Sequence, residues 1–180
     1  MYLERINIYT LLFSITIAVF VFIKNEKKIY LLLLLVLLTI FDKINLNKNL
    51  KFTDLSINAL DDSNIICKQY EKMLENNNNS IVVRPQTLEN LQNFINLCLN
   101  EKIDCVILDQ NIKIDQNVYY GTNICRQLRK KNFNGIIVIR SSDNDIKKYE
   151  YAGADTYIGK DVKLENVKNT ILNFCSKKYK

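Results

Sequence analysis

Hydrophobic and polar positions divide the chain into two parts with different patterns. From Ile6 to Ile23 the chain is apolar apart from scattered polar residues, and a second apolar run extends from Ile29 to Phe41. From Leu55 onward, short apolar runs of strand length alternate with stretches whose apolar residues recur at helical spacing. We therefore predict an apolar helical hairpin within residues 1–45, a linker at 46–54 and a folded domain at 55–180.

The two N-terminal runs, at about 6–23 and 29–41, are predicted membrane segments. The first is long enough to cross a hydrocarbon core as a helix, whereas the second is short for a complete span. Residues 1–51 carry seven Lys and Arg against three acidic residues, a net charge of +4 (7 − 3), as expected beside anionic lipid. A signal peptide is the competing interpretation, but Glu4 offsets Arg5 and no small-residue cleavage site follows. One span or two remain open, and we expect a membrane protein whose folded domain faces the cytoplasm.

The second part of the chain follows a strict strand–helix alternation. Its strand-like runs are at Leu55–Leu60, Ile81–Val83, Cys105–Leu108, Ile136–Ile139 and Thr156–Ile158. Nearly continuous apolar strands separated by amphipathic helices are typical of a parallel sheet that is covered on both faces. We predict an α/β fold, a flavodoxin-like doubly wound five-stranded parallel sheet with the strand order 2-1-3-4-5.

Composition excludes several classes of function. The chain has no histidine, so it offers no phosphorylatable histidine and no Ser-His or Cys-His catalytic pair. Its five cysteines are widely spaced within apolar runs, which favours reduced, buried thiols over disulfides or a zinc site. Basic residues form no stripe with interleaved aromatics, so we expect no direct contact with nucleic acid.

Polar residues follow the strands of the predicted sheet at the points where chemistry is expected. Ligands bind at the carboxyl ends of such strands, near the point where the strand order reverses. Three carboxylates at neighbouring strand ends repel one another unless a cation such as Mg²⁺ joins them. A lysine and a serine at the next two strand ends would complete a site for a phosphoryl group. The residues concerned are Asp61 and Asp62 after strand 1, Asp109 after strand 3, Ser141 after strand 4 and Lys160 after strand 5.

Four segments together resemble the response-regulator receiver domain of two-component phosphorelays, over about residues 55–178. They are ALDDS, DCVILDQN, GTNICRQLRKKNFNGIIVIRSS and AGADTYIGKD. The resemblance implies that Asp109 is the phosphoacceptor, with Lys160 and Ser141 contacting the phosphoryl group and Tyr157 acting as an aromatic switch. It also implies that Mg²⁺ is held by Asp61, Asp62, Asp109 and the backbone carbonyl of Asn111.

The same resemblance implies a role in signalling and not in metabolism. We expect Mg²⁺-dependent transfer of a phosphoryl group to Asp109 from a histidine kinase or a histidine phosphotransfer protein. The domain would be a phosphoacceptor, not an enzyme acting on other substrates. The alternative is a pseudo-receiver, a phosphate-independent adaptor held at the membrane.

Three departures from the family pattern bear on these expectations. Asp161 follows Lys160 where the family has proline, and a non-proline cis bond costs about 3 kcal/mol, so we predict a trans peptide there. The stretch from Asp109 to Gly121 is long, which predicts an insertion that caps the site. The stretch from Ser141 to Lys160 is short, which predicts a fourth helix of about two turns.

Two other classes of protein with a similar sheet are disfavoured. In a flavin protein, Asp61 and Asp62 would repel the phosphate of the cofactor. A dehalogenase-like phosphatase would have a second aspartate two residues after Asp109, where this chain has Asn111.

Overall fold

The structure is a computed structural model that describes residues 50–178. The predicted membrane segments and the apolar helical hairpin lie outside the described residues. No helix within 50–178 combines the length and the apolar character needed to span a bilayer.

Alternation of strands and helices is present as predicted from the sequence. The strands are β1 (Ile57–Leu60), β2 (Ile81–Val83), β3 (Cys105–Asp109), β4 (Asn111–Ile114), β5 (Asn117–Tyr120), β6 (Ile136–Ser141) and β7 (Thr156–Gly159). The helices are α1 (Asn64–Leu74), α2 (Leu88–Asn100), α3 (Gly121–Lys130), α4 (Ile146–Tyr151) and α5 (Leu164–Lys178), and a 3-10 turn at Phe52–Asp54 precedes β1. Five strands form a parallel sheet in the order β2-β1-β3-β6-β7. The predicted flavodoxin-like order is confirmed, because β6 and β7 are its fourth and fifth strands.

Apolar side chains of the sheet pack into two cores, one on each face. Along β3, Val106 and Leu108 face one core, while Ile107 and Cys105 face the other. Helices α2, α3 and α4 cover the first core, and helices α1 and α5 cover the second. Because successive side chains of a strand point to opposite faces, burial of both faces accounts for the uninterrupted apolar runs.

Side-chain hydrogen bonds cap the N-termini of α1 and α2, the helices that follow β1 and β2. Thr87 Oγ1 accepts from the Asn90 N–H at 3.2 Å, and Asn90 Oδ1 accepts from the Thr87 N–H at 3.2 Å. This reciprocal pair is a capping box and makes Thr87 the N-cap of α2. Ser63 caps α1 by accepting from the Ile66 N–H at 3.5 Å. Helix α1 therefore begins immediately after the acidic pair that follows β1.

Strand boundaries differ from the sequence prediction by one or two residues, and β3, β6 and β7 extend to Asp109, Ser141 and Gly159. Strand β1 begins at Ile57 and not at Leu55, because the Ser56 N–H donates to Oδ2 of Asp104 at 2.9 Å instead of joining the ladder. The predicted insertion after Asp109 folds as an antiparallel hairpin, β4–β5, whose strands had not been foreseen. The short fourth helix is confirmed, since α4 has six residues.

Candidate functional site

Three carboxylates meet at the carboxyl ends of β1 and β3. Asp61 and Asp62 follow β1 directly, and Asp109 is the last residue of β3. One carboxylate oxygen of each lies within 4.8 Å of those of the other two. Asp61 and Asp109 are buried, with 1 % of their surface exposed in each case, and Asp62 is half-buried. The parallel register of β1 and β3 therefore brings together the acidic residues singled out in the sequence.

Backbone donors orient the two acids that follow β1. Asp61 Oδ1 accepts from the Ser63 N–H at 2.9 Å. Asp62 Oδ2 accepts from the Lys113 N–H at 2.9 Å, so the hairpin β4–β5 contacts the acidic cluster through its backbone. Burial, more than any other cause, raises the pKa of Asp61 from 3.8 to about 6, and the charge of Asp109 adds to that rise.

Lys160 supplies the cation beside Asp109. Its Nζ lies 2.6 Å from Asp109 Oδ1, and apart from this ion pair neither oxygen of Asp109 has a hydrogen-bond partner within residues 50–178. Burial raises the pKa of Asp109, and the ammonium of Lys160 acts in the opposite direction. The carboxylate of Asp109 is thus enclosed, paired with Lys160, and otherwise free to accept a new partner.

Oxygen donors of this cluster fit a hard divalent cation. Three carboxylates in mutual reach, two of them buried, carry more negative charge than one lysine offsets. Mg²⁺ prefers such carboxylate oxygens together with water and phosphate oxygens. Asp61, Asp62 and Asp109 are therefore the residues that could hold it.

Ser141 and Tyr157 lie in β6 and β7, on the opposite side of β3 from β1. Ser141 ends β6, is buried, and accepts through Oγ from the Asp143 N–H at 3.0 Å. Tyr157 in β7 is half-buried, stacks on Tyr149 with ring centroids 5.1 Å apart, and donates its hydroxyl to Asn144 Oδ1 at 2.7 Å. Both side chains therefore contact the β6–α4 loop. The ring of Tyr157 is held there by its stacking partner and by a hydrogen bond.

Asn111 opens the hairpin and is exposed two residues after Asp109. Behind the hairpin the chain returns so closely that a Cβ at Gly121 would lie 2.3 Å from the carbonyl oxygen of Asp109. A hydrogen bond from the Gly121 N–H to the Gln110 carbonyl, 3.0 Å long, closes the base of the hairpin. Gly121 therefore lets the insertion leave and re-enter the fold beside Asp109 without displacing it. In the sequence this glycine had marked only the end of the long stretch after Asp109.

Lys160 contacts Asp109 even though the residue that follows it is Asp161 and not a proline. Residues 50–178 contain no cis peptide bond, as predicted for this position. The Lys160 N–H donates to the Ser141 carbonyl at 3.0 Å. Arg140 adds a second tether, because its Nη2 donates to the carbonyl oxygens of Lys160 at 3.1 Å and Val162 at 3.5 Å. Arg140 was not among the residues predicted from the sequence, where its signal is a single charge at the end of the apolar run IIVIR.

Comparison with known proteins agrees with this geometry. The family model described as "Response regulator receiver domain" matches residues 57–172, which is most of the described chain. The chain belongs to this family. The five-stranded parallel sheet described above is consistent with this membership. No curated protein sequence gives a significant match.

Solved receiver domains share the fold at low sequence identity. A Francisella response regulator 1452 receiver domain is 18 % identical, with a TM-score of 0.57, covering 71 % of this chain and 100 % of its own. A receiver domain protein from Clostridium thermocellum is 22 % identical, with a TM-score of 0.55 and coverages of 69 % and 96 %. The BeF3-activated DrrB receiver domain is 22 % identical, with a TM-score of 0.54 and coverages of 67 % and 97 %. The likeness to these structures concerns the fold.

Proposed function

We propose that this receiver domain accepts a phosphoryl group on Asp109, in a Mg²⁺-dependent reaction, from a partner histidine kinase or histidine phosphotransfer protein. The observation that supports it most directly is the 2.6 Å contact between Lys160 Nζ and an otherwise unpartnered Asp109. Such an arrangement leaves a nucleophilic oxygen beside a fixed positive charge. These 180 residues contain no histidine, so the donor histidine of the proposed transfer would lie outside them.

In the proposed transfer, an oxygen of Asp109 attacks the phosphorus of a phosphohistidine. The new O–P bond forms as the P–N bond breaks, and the imidazole leaves with the electron pair and takes up a proton. Bound Mg²⁺ would neutralise the charge of the acidic cluster and of the phosphoryl oxygens. Lys160 balances a second oxygen, and Ser141 offers a hydroxyl donor once its Oγ turns from the Asp143 N–H. Release of that bond would free the β6–α4 loop, on which Tyr157 rests.

The test is phosphorylation of the full chain by acetyl phosphate with and without Mg²⁺. We expect intact mass spectrometry to record one added phosphoryl group, dependent on Mg²⁺ and lost in Asp109→Asn. Asp115→Asn is the matched control, since Asp115 is exposed in the hairpin turn and is not one of the three clustered carboxylates. Addition of a phosphoryl group to Asp109→Asn, or in EDTA, would contradict the assignment.

The phosphate-independent adaptor is the second candidate, favoured by the hydrogen bond that ties Asp62 to the hairpin. In that case Asp62 would serve to hold the β4–β5 hairpin, and the exposed apolar residues Val118 and Tyr120 on β5 would face a partner. An unmodified chain that shows no thermal shift with Mg²⁺ would support the adaptor. Modification by acetyl phosphate would exclude it.

Membrane attachment with the receiver domain in the cytoplasm is part of the same proposal. It rests on the apolar runs at about 6–23 and 29–41. Sedimentation of cell extracts should place the full chain with membranes, and a chain that lacks residues 1–45 should stay in the supernatant. Equal distribution of the two chains would contradict it. We propose no catalytic turnover of other substrates and no direct nucleic-acid partner.

A further inference from the structure

Two hydrogen bonds from one side chain fix the turn that carries Lys160. Arg140 Nη2 donates to the carbonyl oxygen of Lys160 at 3.1 Å and to that of Val162 at 3.5 Å. These two carbonyls flank Asp161, the exposed residue that stands where the receiver family has proline. Proline would restrict φ at this position and aspartate does not, so the turn depends on restraints from elsewhere in the fold. Arg140 supplies two of them.

Strand β6 connects this turn to the strand that ends in Asp109. Arg140 is the register partner of Asp109 in the parallel pairing of β3 with β6. The next residue of β6, Ser141, accepts the Lys160 N–H through its carbonyl oxygen at 3.0 Å. The N–H and the C=O of Lys160 are therefore bound to consecutive residues of one strand. From this fixed backbone the lysine side chain extends to place Nζ 2.6 Å from Asp109 Oδ1.

Packing of the core does not account for an arginine at this position. Arg140 is only 4 % exposed and forms no ion pair within residues 50–178, and its Nε and Nη1 are enclosed without an acceptor among those residues. A buried charge without a counter-ion destabilises a fold, and an apolar side chain of similar volume would avoid that cost. The four residues of β6 before Arg140 and Ser141 are all apolar. The bonds from Arg140 to the turn are what an apolar residue could not provide.

The ion pair of Lys160 depends on how well its backbone is held. The side chain of Lys160 is 36 % exposed, and Asp109 is its one salt-bridge partner within the described residues. Ordering a long side chain in one geometry costs conformational entropy, and for this reason partly exposed ion pairs contribute little. When the backbone is already fixed, only the side-chain rotamers remain to be ordered, so the pair forms more readily.

We propose that Arg140 is a positioning residue of the phosphoacceptor site, which holds Lys160 Nζ at Asp109 by binding the carbonyl oxygens on either side of Asp161. It acts through the backbone of Lys160 and does not itself contact the phosphoryl group. The inference rests on the proposed function, because it concerns the cation that Lys160 brings to the transfer. The pairing of Lys160 with Asp109 needs neither metal nor phosphate, so it can be measured apart from the reaction.

The test is the rate at which acetic anhydride acylates Lys160 in the full chain in EDTA, measured by mass spectrometry of its peptides. Only an amine that has left the ion pair reacts, so this rate reports the unpaired fraction of Lys160. Arg140→Met should raise it about fivefold, which corresponds to about 1 kcal/mol, the strength of a partly exposed ion pair. Asp109→Asn removes the carboxylate and sets the rate of the unpaired lysine.

Arg129→Met is the matched control for loss of stability. Arg129 also donates to backbone carbonyl oxygens, those of Gly153, Phe133 and Gly135, and none of these belongs to the Lys160 turn. Lys160 should therefore react in this variant at the rate of the unmodified chain. The direction of the change in Arg140→Met separates positioning from charge. Because like charges repel, loss of the arginine charge alone would tighten the pair of Lys160 with Asp109 and slow the reaction.

Arg140→Lys keeps the charge and provides the test if Arg140→Met does not fold. Its side chain is one bond shorter and loses at least one of the two carbonyl contacts, so Lys160 should react about twofold faster. In Mg²⁺, acetyl phosphate should phosphorylate Arg140→Met more slowly than the unmodified chain, by about fivefold.

Acylation of Lys160 that is unchanged or slower in the Arg140 variants would overturn the proposal, as would an equal rise in Arg129→Met. An unmodified chain that takes up no phosphoryl group would contradict the proposed function alone. Faster acylation of Lys160 in the Arg140 variants would still show that Arg140 holds this lysine at Asp109.

Discussion

Replacing Asp109 by asparagine removes a buried charge, and we expect the metal-free protein to become more stable as a result. Asp109 is 1 % exposed, and burial raises its pKa. Within residues 50–178 its side chain pairs with Lys160 alone, whose own side chain is 36 % exposed. Functional sites commonly hold such unfavourable groups in place at the expense of stability. The Asp109→Asn variant keeps the shape of the side chain and removes only its ionisation.

The magnitude follows from two opposing contributions. Burial of a carboxylate costs several kcal/mol even after relaxation. A partly exposed ion pair returns only about 1 kcal/mol of this. Asparagine gives up the ion pair and leaves an amide to satisfy, which costs about 1–2 kcal/mol. The balance is a gain on the order of 1–2 kcal/mol, or a rise in Tm of about 4–8 °C for a domain of this size.

Thermal unfolding followed by circular dichroism, in EDTA and in Mg²⁺, tests this reasoning. In EDTA, Asp109→Asn should unfold at a higher temperature than the unmodified chain, and the exposed control Asp115→Asn should not. In Mg²⁺ at about 100 times its Kd the unmodified chain should gain about 2.7 kcal/mol, and the variant less, because it offers two carboxylates. A lower Tm for Asp109→Asn in EDTA would refute the view that the buried charge of Asp109 destabilises the metal-free protein.

Three further outcomes follow from the described contacts. Gly121→Ala should lower the free energy of unfolding by about 2–3 kcal/mol and slow phosphorylation, because the added Cβ would lie 2.3 Å from the carbonyl oxygen of Asp109. Urea unfolding and an acetyl phosphate assay measure the two effects. In EDTA, the free energy of unfolding should fall by at most about 3 kcal/mol as pH rises from about 4 to 6. The reason is that the pKa of Asp61 is raised to about 6 in the folded protein, so the native state binds this proton more tightly than the unfolded chain does. Asp61→Asn should remove most of this pH dependence. Arg129→Met should lose about 3 kcal/mol in urea unfolding, since it deletes bonds to three carbonyl oxygens, whereas Arg126→Met should change little.

Most of the sheet and the acidic cluster could be predicted because they depend on local pattern and on one topological rule. Apolar runs marked the strands, and parallel strands bring their carboxyl ends to one edge. Asp61 and Asp109, about fifty positions apart in the sequence, therefore had to meet once β1 and β3 were neighbours. The pairing of Lys160 with Asp109 follows from the same edge, since β7 ends there as well.

What the sequence did not reveal depends on contacts between distant segments. The hairpin could have been recognised from the alternation in Asn111–Ile114, where Ile112 and Ile114 are buried and the other two residues are exposed. Its hydrogen bond to Asp62 could not, because a backbone N–H leaves no trace in the amino-acid pattern. Arg140 was likewise overlooked, since its role arises from carbonyl groups 20 and 22 residues further along the chain.

The backbone bond from Lys113 to Asp62 gives this domain a natural reporter. The amide proton of Lys113 can exchange with deuterium only when its bond to the carboxylate opens. Its exchange rate therefore reports how often the carboxylate of Asp62 separates from the hairpin, which lies outside the main sheet. Any event that redirects this carboxylate would be recorded as a change in deuterium uptake at one peptide group, with no label attached to the site itself.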